Sequence, residues 1–240
     1  MLYDGQKGPD RNSPSGMPAV DPPAIWFPYG RMGQSASEPV WDTTGGKFGP
    51  FAGQCFVGDQ TRSTVMRVAL EKVNGVYQGA CFPFRNGLQC GVNRLAFGPD
   101  GALYVGQTNR GWGSVGGKPY GLQKITFAGD VPAEVHHVTL TKTGFDLTFT
   151  KPVADVTPEA ITLKSFTYIY YSQYGCPEMD PRAEKITAAK LSPDRKTVSL
   201  AVGGMKPGRV YEFRLPDVKT ADGAPLLHAE AYYTLNELVK

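Results

Sequence analysis

The sequence predicts an all-β chain: a partial β-propeller of about two blades over residues 24–131, then an immunoglobulin-like β-sandwich over 132–240. Three observations predict it: a repeat of 48 to 49 residues in the first half, alternating apolar segments in the second, and 29 Gly with 20 Pro in 240 residues. That much Gly and Pro suits short strands joined by tight turns and leaves little room for long helices.

The repeat is explicit. Phe48-Gly49-Pro50 recurs as Phe97-Gly98-Pro99, and Gly53, Val57, Gly58 and Arg62 recur as Gly101, Val105, Gly106 and Arg110. After an insertion, Val65-Met66-Arg67-Val68 aligns with Leu122-Gln123-Lys124-Ile125. A period near 50 with four short strands per copy is the pattern of a propeller blade. The first copy places strands at 39–42, 54–59, 65–71 and 76–82, with Asn74-Gly75 as a two-residue hairpin turn. The second places them at 94–97, 102–107 and 122–127, and its fourth strand is absent. Before both, Ala24-Ile25-Trp26-Phe27 reads as the outer strand of a preceding blade. A closed propeller takes about four blades or more. Two blades leave edges that missing blades or another chain would cover.

From Val135 the pattern becomes alternation, with strands expected at 135–140, 145–150, 161–171, 186–191, 197–202, 210–215 and 232–235. Seven such segments, separated by Thr143-Gly144, Ser192-Pro193-Asp194, Gly203-Gly204 and Pro207-Gly208, indicate a sandwich. The boundary falls near residues 130–133, and residues 1–23 form a polar Pro/Gly-rich segment without the apolar core of a secretory signal.

Charge excludes some partners. Basic and acidic residues nearly cancel, 25 against 22, without a run of like charge, so no nucleic-acid partner is expected. No apolar stretch approaches the roughly 18 residues of a membrane span. Cys55, Cys81, Cys90 and Cys176 lack the C-x-x-C spacing of metal, redox and haem motifs. Cys81 and Cys90 flank a Gly-containing loop, which leaves two readings: a disulfide in an exported protein, or a pair of core thiols.

Several segments carry a family likeness: DTTGGKFGPFAGQCFVGDQTRSTVMRV, GACFPFRNGLQCGVNRLAFGPDGALYVGQTNRGWGS, GKPYGLQKITFAGDVPAEV, FTYIYYSQYGCPEMD and PLLHAEAYYTLN. They resemble the C-terminal part of bacterial sorbosone dehydrogenase-like, putative membrane-bound dehydrogenase proteins. The resemblance covers about Pro23 to Asn236. It implies a six-bladed propeller of the quinoprotein sugar dehydrogenase type in the parent, periplasmic or extracellular, acting on sugars or aldoses with pyrroloquinoline quinone and calcium. The early blades, which carry the histidine base in such enzymes, have no counterpart here, so this chain alone is expected to be inactive.

The candidate site residues sit in loops on one face. Gln60-Thr61-Arg62-Ser63, residues 85–89, and an insertion at 108–120 with Asn109, Arg110, Trp112 and Lys118 would surround the channel mouth. Arg62 and Arg110 occupy equivalent repeat positions and, with Lys118, can meet one anionic ligand. The quinone implied by the resemblance is a tricarboxylate whose rings Trp112 can stack on. The competing role for the arginines is to brace the loops through Asp59 or backbone carbonyls. Asp59 with Gln60 offers oxygens to calcium, on one carboxylate only. Gly45-Gly46 and Gly116-Gly117 lack phosphate-loop spacing and read as turns.

In the second half Tyr168, Tyr170, Tyr171 and Tyr174 form an aromatic stretch that either stacks on a sugar or fills a core. Glu178 and Asp180 are a bare hint of glycosidase chemistry. His136, His137 and His228 all lie after the propeller half, where packing is their expected role. Three readings follow: a fragment of a quinoprotein sugar dehydrogenase, a non-catalytic module that binds a sugar or small polyol, or a structural piece completing another chain.

Overall fold

The computed structural model describes residues 22–168 and 174–240. Over them the chain is all-β, with three antiparallel sheets, none closed into a barrel, and a single 3₁₀ turn at Pro158–Ala160. Tyr170 and Tyr171 lie outside the described residues.

Strands β1 (Ala36–Trp41), β2 (Cys55–Asp59), β3 (Thr64–Val73) and β4 (Val76–Arg85) are consecutive antiparallel neighbours, as the first repeat copy predicts. The turn between β3 and β4 has both central residues at positive φ, 49° at Asn74 and 90° at Gly75, which is why Asn-Gly stands there. The second copy forms β5 (Val92–Phe97), β6 (Leu103–Thr108) and β7 (Tyr120–Ile125), a separate three-stranded sheet ending on β7. Tyr120 and Leu122 stand exposed on that last strand.

The second half supplies β8 (Val135–Leu140), β9 (Gly144–Phe149), β10 (Thr162–Thr167), β11 (Met179–Glu184), β12 (Ile186–Leu191), β13 (Thr197–Val202), β14 (Arg209–Arg214) and β15 (Glu230–Leu235). One sheet runs β12-β13-β9-β8. The rest join the first repeat copy: Tyr232 pairs with Cys81 and Tyr233 with Ala80, giving one sheet of eight strands, β1-β2-β3-β4-β15-β14-β10-β11. The boundary near 130–133 therefore separates stretches of sequence that share a sheet in space.

Side-chain alternation along β3 divides the core. Met66 and Val68 face one side, with Cys55, Val57, Cys81, Phe166 and Tyr232, under a cover of Ile25, Trp26, Phe27 and Met32. Residues 24–27 are thus not the outer strand that their apolar run predicts. They lie across the sheet instead, with Trp26 N–H donating to Thr234 Oγ1 at 2.8 Å and the indole stacked on Tyr168 at 4.0 Å. On the other side Val65 belongs to a cluster with the three-stranded sheet, and Ala69 to a cluster with the β12-β13-β9-β8 sheet. The two smaller sheets pack on the same face of the large one, and Arg67 lies between them.

Arg67 is fully buried. Its guanidinium is held between the Phe51 and Phe82 rings, 4.2 and 4.1 Å from their centroids. It donates to Gln54 Oε1 at 2.5 Å, to Val135 O at 2.5 Å and to His136 O at 3.0 Å, so it ties β3 to the first residues of β8. Burial pulls its pKa below the usual arginine range, and Glu134 opposes that pull.

All four cysteines are free and buried, which selects core thiols over a Cys81–Cys90 disulfide. Desolvation raises the pKa of Cys81 and Cys90 and pushes Cys55 up to about 11.

Candidate functional site

The loops that carry Arg62, Arg110, Trp112 and Lys118 are built into one surface by buried polar side chains. Asp59, at the end of β2 and 0% exposed, accepts the N–H groups of Gln34 at 2.6 Å and Ser35 at 2.8 Å on Oδ2, and that of Arg62 at 2.7 Å on Oδ1. It fixes the turn at 60–63 against residues 34–35. With three backbone donors and no exposed surface, Asp59 suits a brace and does not fit the calcium ligand expected of it.

Gln60, next along, reaches the second copy of the repeat. Its Nε2 donates to the carbonyls of Thr108 and Trp112. Val115 N–H donates to Thr61 O at 2.8 Å and Gly116 N–H to Ser63 Oγ at 2.9 Å. Asn109 closes the insertion on itself through Gly116 O at 2.9 Å and Lys118 O at 2.8 Å. Gly116 is required by close approach, because a Cβ there would lie 2.5 Å from the carbonyl of Gln89. The insertion is thus a folded loop seated on the first copy's turn.

Three rings crown this surface. Trp112 is 51% exposed, with Nε1–H donating to Thr61 Oγ1 at 2.7 Å. Tyr174, 56% exposed, meets Trp112 edge-on at 5.7 Å and Tyr29 at 5.9 Å, while its hydroxyl donates to Gln34 O at 2.7 Å and contacts Ser35 Oγ. Tyr29 rests on Gly175, whose φ of 81° and lack of a side chain leave room for the ring. Beside Tyr29 opens a largely apolar cleft of about 300 Å³, lined by Ile25, Trp26, Phe27, Gly33 and Cys176 among others.

The side chains of Arg62, Arg110 and Lys118 are exposed on the same loops and make no hydrogen bond, ion pair or ring contact among the described residues. Arg62 and Arg110 engage Asp59 and Thr108 through their backbone N–H groups alone, so neither guanidinium braces a loop.

The other sequence candidates go elsewhere. Tyr168 is core. Glu178 pairs with Arg31, and Asp180 with Arg182 at 2.6 Å and Arg209 at 2.9 Å. Those arginines hold Asp180 below the usual carboxylate range, opposite to what a general acid needs. His228 pairs with the buried Glu134 at 2.8 Å. His136 and His137 form a half-buried chain, Nδ1 to Nδ1 at 2.8 Å, anchored on Pro50 O. Among the described residues no three His, Cys, Asp or Glu side chains gather as a metal site, and no helix is long and apolar enough to cross a membrane.

The sequence named Trp112 and Tyr174 separately and missed Tyr29. Tyr29 has no periodic signal, since it belongs to a short looped segment whose only strand-like pairing is a bridge to Gly33. No family model, curated protein or solved structure matches the chain.

Proposed function

We propose that this chain is a carbohydrate-binding β-module and that its ligand lies along the Tyr29, Tyr174 and Trp112 rings. The observation that carries the reading is the cluster itself: three exposed aromatic rings, Tyr174 touching both Tyr29 and Trp112, on a loop surface fixed by buried Asp59 and Gln60. Exposed rings grouped in this way are unusual unless something covers them. The C–H face of a sugar ring packs on an aromatic face, and its hydroxyls find Thr61, Ser35 and Gln34 at the edges.

We place the module in the C-terminal part of a sorbosone dehydrogenase-like protein. On this reading β1–β4 and β5–β7 are successive propeller-type blades, and β8–β15 an immunoglobulin-like sandwich. The repeat, the consecutive antiparallel order and the exposed last strand β7 support it. Free Arg62, Arg110 and Lys118 favour a second reading, in which pyrroloquinoline quinone stacks on Trp112 with its carboxylates on those cations.

Tryptophan fluorescence during titration with neutral and acidic oligosaccharides, and separately with the quinone, tests both. Saturable sugar binding that is lost in Trp112→Ala and Tyr174→Ala is the expected result. Quinone binding without binding of any sugar would reverse the order of the two readings.

A further inference from the structure

We infer that the ligand of this face is an anionic glycan, a chain bearing uronate carboxylates. The inference rests on the sugar-binding reading and assigns its substrate class. The loop surface at 59–63 and 108–119 carries three basic side chains, Arg62, Arg110 and Lys118, and one acid, Asp59. Asp59 is 0% exposed and turned inward to three backbone donors, so it forms an ion pair with none of the cations at the surface. Arg31, in the turn before β1, is by contrast neutralised by Glu178 and Glu212.

Unpaired surface cations are ordinary one at a time. Here three stand on two loops joined by Val115 N–H to Thr61 O and Gly116 N–H to Ser63 Oγ, beside three exposed rings. Rings without cations would suit a neutral glycan, and cations without rings any anion. The combination asks for a ligand with an apolar ring face and a charge at each ring. Tyr174 meets Tyr29 and Trp112 edge-on, with centroids 5.9 and 5.7 Å away, so the three rings turn different faces and edges to a ligand within a short span. Carboxylates held by exposed Arg and Lys gain mainly Coulomb energy, which salt screens.

The test compares a galacturonate hexamer with the same hexamer fully methyl-esterified, which keeps the sugar and removes the charge. The acid is expected to bind about tenfold tighter than the ester at low salt, with the gap closing at physiological salt. A variant combining Arg62→Ala, Arg110→Ala and Lys118→Ala should bind both forms with the ester's affinity. Trp112→Ala should weaken both forms alike. All these side chains are exposed, and circular dichroism verifies that the variants fold. Equal affinity for acid and ester overturns the anionic assignment and leaves sugar binding standing. Failure to bind either form, or any neutral glycan, overturns both. Tighter binding of a single-stranded oligonucleotide of matched charge would also overturn the inference, because the face would then read charge rather than sugar.

Discussion

The seam between the two smaller sheets contains a chain of neutral histidines that acid should break. His136 Nε2–H donates to Pro50 O at 2.7 Å, so its Nδ1 must accept. His137 Nδ1 lies 2.8 Å from that atom and is therefore the donor, leaving His137 Nε2 to accept from Gln54 Nε2 at 3.4 Å. Gln54 cannot turn its oxygen to a protonated His137, because Oε1 is engaged by Arg67. Desolvation first, then His136 and Arg67, hold His137 down to about 4. His136 is lowered too, by burial and by Arg67 against the opposing bond to Pro50.

An unfolded histidine titrates near about 6.5. Between that value and the folded value, the unfolded chain binds a proton that the folded chain refuses, so stability falls as pH falls through this window. The penalty is absent above the unfolded value and complete below about 4. From about pH 7.5 to about pH 4.5, linkage for His137 alone gives roughly 2.5 kcal/mol, reduced to about 2 kcal/mol because the ring is only half-buried. Urea unfolding of the parent and His137→Gln at both pH values reads this directly. The parent should lose about 2 kcal/mol more than the variant on acidification. Equal losses would refute the neutral-chain argument.

Arg67→Met removes the guanidinium donors to Val135 O and to Gln54 Oε1 while filling the slot between Phe51 and Phe82. At about 1–3 kcal/mol per stranded acceptor, less the relief of unburying a charge, a loss of about 3 kcal/mol in urea unfolding is expected. A change under about 1 kcal/mol would mean that the seam relaxes around the vacancy. Gly175→Ala sets a Cβ 2.5 Å from the Tyr29 ring at a φ of 81°. It should cost about 1–2 kcal/mol of stability and weaken glycan binding, whereas unchanged binding would remove Tyr29 from the site. With all four thiols buried, a thiol reagent should titrate none of them in the native protein and all four in denaturant. Only two thiols in denaturant without reductant would mean that a disulfide forms.

Most strands were legible because their signals are local. Alternation marked β8, β12 and β13 at their observed limits, and the repeat placed β1 to β7 within a few residues. The two failures have physical causes. Strand β11, Met-Asp-Pro-Arg-Ala-Glu, is an exposed edge carrying a proline and no alternation, so only its pairing with β10 makes it a strand. Residues 24–27 are apolar because they roof a sheet, and apolarity alone does not distinguish a roof from a strand. Arg67 was legible only as the basic position of an apolar-polar-basic-apolar strand. Nothing local says that a repeat position matched by exposed-strand Lys124 is fully buried in the other copy.

The candidate site was half legible for a related reason. Trp112 comes from the second repeat copy, Tyr29 from before the first, and Tyr174 from the second half of the chain, so their meeting is a matter of topology. It follows from the pairing of β4 with β15, which carries β14 and β10 into register with the first repeat copy. Phe166, Tyr168 and Cys176 then share a cluster with Met32, Val57 and Met66, and this shared packing brings Tyr174 beside Tyr29 and Ser35. A propeller-type blade ending at its own fourth strand would leave the β4 edge bare and Tyr174 far from Trp112. In this chain the strand that seals the edge of the first repeat unit also completes the aromatic surface, which makes edge protection and the meeting of the three rings consequences of one set of backbone hydrogen bonds.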